Sequence, residues 1–263
     1  MMKIVVCIKQ VPDSTNVRIN PETNTLMREG VESIVNPFDE YALEQALLLK
    51  DRCGAKVTVV SMGPPQATAV LREALARGAD AAFLVSSRAF GGADTLATSY
   101  TLSQAILRAC DGTTPDLVLF GKQAIDGDTA QVGPGVSEFL GLPLVTYVRE
   151  LTADASGKFT VVTAMDDGEH VIEGAFPAVM TVVKEAAAPR FAPLAGAMAA
   201  AKAEIAVLDE KAIAADPLRI GFKGSATHVV KIFAPPVREG GRKIQWSGDA
   251  KALVREIKEA FRV

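Results

Sequence analysis

The sequence predicts an α/β fold that has a mostly parallel sheet with helices on both faces. Short apolar runs at 3–8, 56–61, 81–85 and 117–120 have the composition of strands buried on both faces. Segments with helical spacing separate these runs, and such alternation is typical of βαβ units. With 263 residues, 49% of them hydrophobic, the chain is long enough for one large domain, or for one domain plus an extension.

The overall composition argues against several functional classes. The net charge is −3, with 28 basic and 31 acidic residues, which indicates neither a nucleic-acid partner nor an anionic membrane surface. Three scattered cysteines, Cys7, Cys53 and Cys110, are too few for a disulfide framework or a metal cluster, so we expect a reduced, cytoplasmic location. The apolar run at the N-terminus is too short for a signal peptide, and no stretch approaches the ~20 apolar residues of a membrane helix.

Asn36 marks the clearest helix start in the chain. Asparagine is a good N-cap, Pro37 fits the first helical position, and the acidic residues that follow suit the positive end of the helix dipole. We expect this helix to end at Gly54. A second helix is predicted from Gln66 to Arg77, where Gly78 stops it, and a third ends near Ala109.

Other segments predict antiparallel pairs. Residues 17–29 alternate around Asn20–Asn24 and predict a β-hairpin. In the second half of the chain, tight turns at Asp154–Gly157 and Asp166–Gly168 separate short strands. We expect these strands to extend one side of the sheet in antiparallel fashion: Leu144–Leu151, Phe159–Met165, His170–Glu173 and Ala178–Val183.

From Ala186 onward the apolar core pattern fades. Residues 1–185 are therefore interpreted as an α/β nucleotide-binding domain, and residues 186–263 as a C-terminal arm. An arm without its own core suits packing on a partner chain, and a loosely ordered extension is the alternative. Ala250–Phe261 is predicted to be a last amphipathic helix, with Leu253, Ile257 and Phe261 on one face.

The stretch from Pro115 to Pro143 predicts a strand, a loop and a helix, and the rest of the chain is organised around it. Gly121 and Gly127 free the backbone after the strand, and we expect the helix to run from Ala130 to Leu140 with Thr129 or Asp128 as its N-cap. Nucleotides bind at such loops in open α/β sheets, where the first N–H groups of the helix can hold a phosphate.

Two aspartates complicate this interpretation. Asp126 and Asp128 are anions that are unfavourable beside a phosphate, so they would face ribose hydroxyls or cap the helix. The loop also matches neither the glycine pattern of dinucleotide folds nor a Walker loop. On the residues alone, nucleotide binding and an ordinary βα loop stay equally open.

A second candidate lies at Arg88–Ser99, where two glycines precede the third helix. Thr95, Thr98 and Ser99 share one face of its first turn, so that hydroxyls and free N–H groups can form a phosphate cradle. The alternative is a polar N-cap with a solvated face.

Three stretches together resemble the small (beta) subunit of electron-transfer flavoproteins. They are Asn36–Phe38, Gly121–Asp126 and Asp166–Thr181, and Arg190–Leu194 fits the next family segment. The similarity covers essentially the whole chain. The family usually has lysines after Leu194, where this chain is Ala-rich.

The resemblance implies a Rossmann-like nucleotide-binding fold. It also implies a heterodimer in which the arm packs on a larger (alpha) subunit that binds one FAD. In ordinary members the small subunit holds AMP structurally, and the carrier passes electrons from acyl-CoA dehydrogenases to a quinone reductase. Leu194 would lie in the segment that docks the dehydrogenase. The implied nucleotide-binding positions are Cys7, Asn36, Pro37, Phe38, Asp39, Met62, Gly121, Lys122, Gln123, Ala124, Ile125, Asp126, Gly127, Asp128, Thr129, Ala130, Gln131 and Val132.

The segment Arg88–Ser99, together with Asp126–Pro134, resembles the electron-bifurcating branch of the family. The small subunit of that branch binds a second FAD in place of AMP. It takes hydride from NADH and sends one electron to a low-potential acceptor such as ferredoxin and the other through the large-subunit FAD to a dehydrogenase. The positions implied for this FAD are Arg88, Phe90, Gly91, Gly92, Ala93, Asp94, Thr95 and Thr98.

Arg88 has two possible interpretations. Its cation near a flavin would stabilise the anionic reduced form, and otherwise it is a surface arginine before a loop. We predict no catalytic triad and no metal site, because the cofactor would carry the redox chemistry.

Overall fold

The computed structural model describes residues 1–13, 18–19, 26–27, 33–153, 157–184, 186–230 and 248–261. The chain divides into two units, Met1–Val230 and Lys231–Val263. The described strands of the first unit are β1 Lys3–Cys7, β2 Gln10–Pro12, β3 Arg18–Ile19, β4 Leu26–Met27, β5 Ser33–Val35, β6 Lys56–Met62, β7 Ala81–Val85, β8 Leu117–Gly121, β9 Leu144–Ala153, β10 Lys158–Met165, β11 Gly168–Ala175, β12 Ala178–Val182 and β13 Ala206–Leu208. Its described helices are α1 Pro37–Cys53, α2 Thr68–Arg77, α3 Thr95–Ala109, α4 Val132–Leu140, α5 Leu194–Lys202 and α6 Gly221–Gly224.

A nine-stranded sheet in the order β11-β10-β9-β12-β8-β1-β6-β7-β13 forms the centre of this unit. From β9 to β13 every neighbouring pair is parallel. Only β10 and β11 add antiparallel pairs. The predicted α/β class with a mostly parallel sheet is therefore confirmed.

Side chains alternate between two cores, one on each face of the sheet. Ile4 and Val6 of β1 belong to the core that α1 and α2 cover. Val5 and Cys7 belong to the core that α3 and α4 cover. This alternation follows from the two-residue period of a strand, and a strand covered on both faces is apolar at every position.

One strand prediction is wrong. We expected Ala178–Val183 and Leu144–Leu151 to be antiparallel, but β12 lies parallel between β8 and β9. All of β12 is buried, as is typical of an interior parallel strand. Helix α4 joins β8 to β9, and β12 fills the place between these two strands.

The predicted hairpin at residues 17–29 is present where the structure describes it. Arg18–Ile19 pairs antiparallel with Leu26–Met27. The turn expected at Asn20–Asn24 lies outside the described residues, and so does most of the turn at Asp154–Gly157. The turn at Asp166–Gly168 joins β10 to β11 as predicted.

Residues 187–230 belong to the first unit and pack at the edge of its sheet. Helix α5 lies so close to α2 that a Cβ on Gly196 would meet the carbonyl oxygen of Ala76 at 2.2 Å. Strand β13 pairs with β7, and Ile213 and Ile220 are buried. The packing of residues 186–263 as an arm on a partner chain stays a prediction. Residues 231–247 of this segment lie outside the described residues.

The described part of the second unit forms one helix, α7 (Ala250–Phe261), with the predicted bounds. Among the described residues, none of the helices combines the length and the apolar character needed to span a bilayer.

Candidate functional site

The carboxyl ends of four parallel strands bring the predicted site segments to one edge of the sheet. Lys9 follows β1, Met62 ends β6, the loop before α3 follows β7, and the loop before α4 follows β8. From β1 the chain adds β6 and β7 on one side, and then places β8 on the other side. The crevice beside β1 and β8 is thus the topological switch point at which open α/β sheets bind ligands.

Asp39 joins the start of α1 to the ends of β1 and β8. Its carboxylate accepts hydrogen bonds from the Lys9 N–H at 2.7 Å and the Gly121 N–H at 3.1 Å. A Cβ on Gly121 would lie 2.4 Å from Asp39 Oδ1, so only glycine allows this approach. The two family segments that contain Asn36 and Gly121 therefore touch.

Burial governs ionisation in this corner. It raises the pKa of Asp39 to about 7, although hydrogen bonds from Asn36, Lys9 and Gly121 and the charge of Lys9 lower it. Burial, and then the charge of Asp39, raise the pKa of the Cys7 thiol. Cys7 is therefore a protonated, buried residue and not a nucleophile.

Asn36 does not cap α1 with its side chain, contrary to our expectation. The side chain is 1% exposed and reaches across to the central loop. Its Nδ2 donates to the carbonyl oxygen of Gln123 at 2.8 Å, and its Oδ1 accepts from the Ile125 N–H at 3.1 Å. A buried amide that satisfies two backbone groups fixes the loop, and this takes precedence over capping.

The central loop, Lys122–Gln131, is strained. Asp128 and Ala130 have left-handed backbones, with φ of 49° and 54°. Ala130 therefore cannot begin the helix, and α4 starts later than predicted, at Val132. Gln131 is its N-cap and makes no side-chain cap bond. The predicted start at Ala130 and the predicted caps are wrong. Each such non-glycine residue costs about 1–2 kcal/mol, and such strain clusters at functional sites.

The two aspartates of this loop are neutralised or bound within the chain. Lys9 Nζ lies 2.7 Å from Asp126, and Gln123 Nε2 donates to Asp128 Oδ1 at 2.8 Å. Over the described residues, the N–H groups from Thr129 to Gly133 find no acceptor. A run of free N–H groups around left-handed residues is an anion-binding arrangement.

The start of α3 lies beside this loop. The Thr95 hydroxyl is 2.9 Å from Gln131 Oε1, which joins the two predicted phosphate cradles. Ser99 does not share the role that we expected for it. It is 1% exposed, its hydroxyl donates to the carbonyl oxygen of Thr95 at 2.7 Å, and Gly135 of α4 packs against it.

The loop between β7 and α3 places its predicted residues differently. Phe90 is buried in the core, whereas Arg88 and Gly91 are exposed. Asp94 caps α3 by accepting from the Ala97 N–H at 3.0 Å. The start of α3 thus keeps two N–H groups, those of Thr95 and Leu96, that find no acceptor in the described part of the chain.

Leu194 lies away from this crevice, at the start of α5. It is 78% exposed, and the neighbouring Phe191 is 96% exposed. Arg190 holds this segment to α1 through Glu44 and Asp51, at 2.9 Å and 2.7 Å. The hydrogen bond with Glu44, which outweighs burial, raises the pKa of Arg190.

Sequence reasoning missed several residues at this edge. Lys9 was not singled out, because a lysine after a strand has no distinguishing pattern. Ser61 is fully buried beside Met62, and its hydroxyl has no partner among the described residues. The only sequence signal for Ser61 is its position as a single polar residue near the end of an apolar run. No sequence pattern singles out Ser225 and Thr227, which contact the loop before α3.

Comparison with known proteins gives a consistent result. Residues 23–213 match the family model described as electron transfer flavoprotein domain. The chain is 49% identical over 263 residues to "Electron transfer flavoprotein subunit beta" of Megasphaera elsdenii, covering 98% of this chain and 97% of that protein. It is 47% identical over 262 residues to "Caffeyl-CoA reductase-Etf complex subunit CarD" of Acetobacterium woodii, covering 98% of both. It is 47% identical over 252 residues to "Protein FixA" of Azotobacter vinelandii, covering 95% and 90%.

Proposed function

The chain belongs to the electron transfer flavoprotein family as a small (beta) subunit that serves electron transfer, and we propose that it binds a second FAD at the carboxyl edge of its sheet. The adenosine part would lie in the central loop, Lys122–Gln131. The flavin would extend over Phe90–Asp94.

One observation carries this proposal: the 2.9 Å contact between the Thr95 hydroxyl and Gln131 Oε1. AMP has a single phosphate and needs only the central loop. A dinucleotide has a pyrophosphate, and the starts of α3 and α4 meet at this contact. Two adjacent helix starts suit two adjacent phosphates.

The residues present fit such a group. The N–H groups from Thr129 to Gly133 and those of Thr95 and Leu96 lack acceptors in the described part of the chain. The carboxylate of Asp126 is paired with Lys9, so it does not oppose a phosphate as an isolated charge. A hydrogen bond from a neutral N–H group to an anion is stronger than one between two neutral groups.

When bound, FAD would accept a hydride from NADH and deliver one electron to a low-potential acceptor of the ferredoxin type and the other, through the large-subunit FAD, to a dehydrogenase. The role of this chain would be to bind and orient the FAD. Thr95 and Thr98 would hold the pyrophosphate, and the exposed Arg88 would place a positive charge near the flavin.

Partners follow from the same family membership. We propose a heterodimer with the large (alpha) subunit, on which residues 186–263 would pack as an arm beside the domain of residues 1–185. The exposed Phe191 and Leu194 would dock an acyl-CoA dehydrogenase or a similar enzyme. The relative named as a subunit of a caffeyl-CoA reductase complex supports this class of partner. The cytoplasmic location remains a prediction.

The alternative is a carrier that holds AMP and passes electrons from acyl-CoA dehydrogenases to a quinone reductase. The test is to replace Thr95 and Thr98 by valine and to titrate nucleotide-depleted heterodimer with FAD and with AMP. We expect FAD to bind about fivefold more weakly for each lost hydrogen bond, with AMP binding unchanged. Replacing both threonines by serine is the matched control, because serine keeps the hydroxyl. Equal losses for FAD and AMP, or no loss, would refute a FAD that spans both cradles.

A further inference from the structure

The segment Phe222–Thr227, here the clasp segment, is bound along the loop Gly91–Asp94, here the glycine loop. The Phe222 N–H donates to the carbonyl oxygen of Gly91 at 3.0 Å. The Asp94 N–H donates to Ser225 Oγ at 2.8 Å. The Ser225 hydroxyl in turn lies 2.8 Å from the carbonyl oxygen of Gly221 and 3.2 Å from that of Gly92. The clasp segment therefore satisfies two backbone groups of the glycine loop, the Gly91 carbonyl oxygen and the Asp94 N–H, and contacts the carbonyl oxygen of Gly92.

Packing brings the two segments into close contact. Gly92 has a φ of 74°, and a Cβ at this position would lie 3.3 Å from Phe222 Cβ. Gly221, with a φ of 55°, passes over the preceding turn, where a Cβ would meet the carbonyl oxygen of Ala89 at 2.1 Å. The His228 ring stacks on Phe222 with centroids 4.1 Å apart. Glycine at both contact points allows the clasp segment to lie directly on the loop.

Asp94 connects this contact to helix α3. One carboxylate oxygen accepts from the Ala97 N–H at 3.0 Å and so caps the helix. The other accepts from the N–H and the hydroxyl of Thr227, at 2.9 Å and 3.1 Å. Burial raises the pKa of Asp94, but the hydrogen bonds from Ala97 and Thr227 outweigh it and hold the pKa below its usual value. The carboxylate therefore stays charged and keeps both sets of contacts.

We propose that Ser225 and Thr227 are positioning residues for the nucleotide site. They hold Asp94 and the glycine loop so that the Thr95 hydroxyl and the free N–H groups of Thr95 and Leu96 face the pyrophosphate. This deepens the proposed function and rests on it. Neither residue touches the nucleotide in this account, because both act through Asp94.

The test uses the co-expressed heterodimer that carries Ser225→Ala and Thr227→Val, which removes both clasp hydroxyls. We expect the double variant to bind FAD about fivefold more weakly, with AMP affinity unchanged. Thr227→Ser keeps the hydroxyl, and Lys223→Ala changes an exposed residue of the same segment. Both controls should bind FAD like the wild type. Unchanged FAD affinity in the double variant, or an equal loss of FAD and AMP, would overturn the proposal.

A second readout separates this inference from the proposed function. If the wild-type heterodimer holds AMP and no second FAD, the proposed function fails by itself. Hydrogen exchange of peptides that cover residues 91–98 then decides the positioning role. Faster exchange in the double variant than in both controls supports the clasp, and equal exchange overturns it.

Discussion

Replacing Gly121 by alanine tests how α1 and the end of β8 together form the floor of the site. An added Cβ would lie 2.4 Å from Asp39 Oδ1, 2.6 Å from the carbonyl carbon of Phe38 and 2.7 Å from the Asp39 N. Two of these atoms belong to the backbone, so no side-chain rotation relieves the overlap. The start of α1 must move away from β8.

The expected loss of unfolding free energy in Gly121→Ala follows from these contacts. Overpacking of this kind costs about 1–3 kcal/mol. The bond from the Gly121 N–H to Asp39 adds about 1 kcal/mol when it is broken. We therefore expect a loss of about 2–4 kcal/mol in unfolding free energy. In a chain of this size that lowers the unfolding temperature by roughly 5–15 °C.

The assays are thermal unfolding and nucleotide content of the purified heterodimer. Gly127→Ala is the matched control, because nothing lies within 4 Å of a Cβ there. We expect the control to stay within about 0.5 kcal/mol of the wild type and to keep its nucleotide. If Gly121→Ala matches Gly127→Ala in both assays, the inferred contact between α1 and β8 does not form the site.

Three further predictions concern stability and docking. Asn36→Ala removes both of its hydrogen bonds to the central loop and should cost about 2 kcal/mol in urea unfolding. Asn36→Asp should cost at least as much, because its buried carboxylate would face the carbonyl oxygen of Gln123 and lie beside Asp39. Because the pKa of Asp39 rises from 3.8 to about 7, the folded state binds its proton more tightly than the unfolded state does. Unfolding free energy should therefore fall by about 4 kcal/mol as pH rises through that window, and Asp39→Asn should flatten the profile. Arg190→Met leaves the Glu44 carboxylate, 5% exposed, without its cation. It should cost about 3 kcal/mol and weaken dehydrogenase binding in a pull-down titration, and an unchanged titration would contradict the docking role of this segment.

The elements that the sequence predicts well are those whose signal is local. The apolar run of β8 and the Asn36-Pro37 start of α1 both need only neighbouring residues, and both are confirmed with bounds close to those observed. The direction of β12 was missed because a short buried strand has the same composition in either orientation. Its parallel pairing with β8 and β9 is a non-local feature that the residues of β12 do not show.

The candidate site shows the same division. The glycines and hydroxyls near Thr95 indicate phosphate chemistry, but no local pattern shows that Thr95 meets Gln131. Likewise, the role of Asn36 at the central loop depends on a residue 87 positions away. The left-handed Ala130 was not foreseen, because alanine gives no sequence signal for that conformation.

A cofactor count on the co-expressed heterodimer tests the central claim most directly. The complex is denatured, the released nucleotides are separated, and FAD and AMP are quantified per protein pair. We expect two FAD and no AMP. One FAD with one AMP would contradict the second flavin and leave the start of α3 as a structural feature. One FAD and no other nucleotide would contradict the central loop as a nucleotide site.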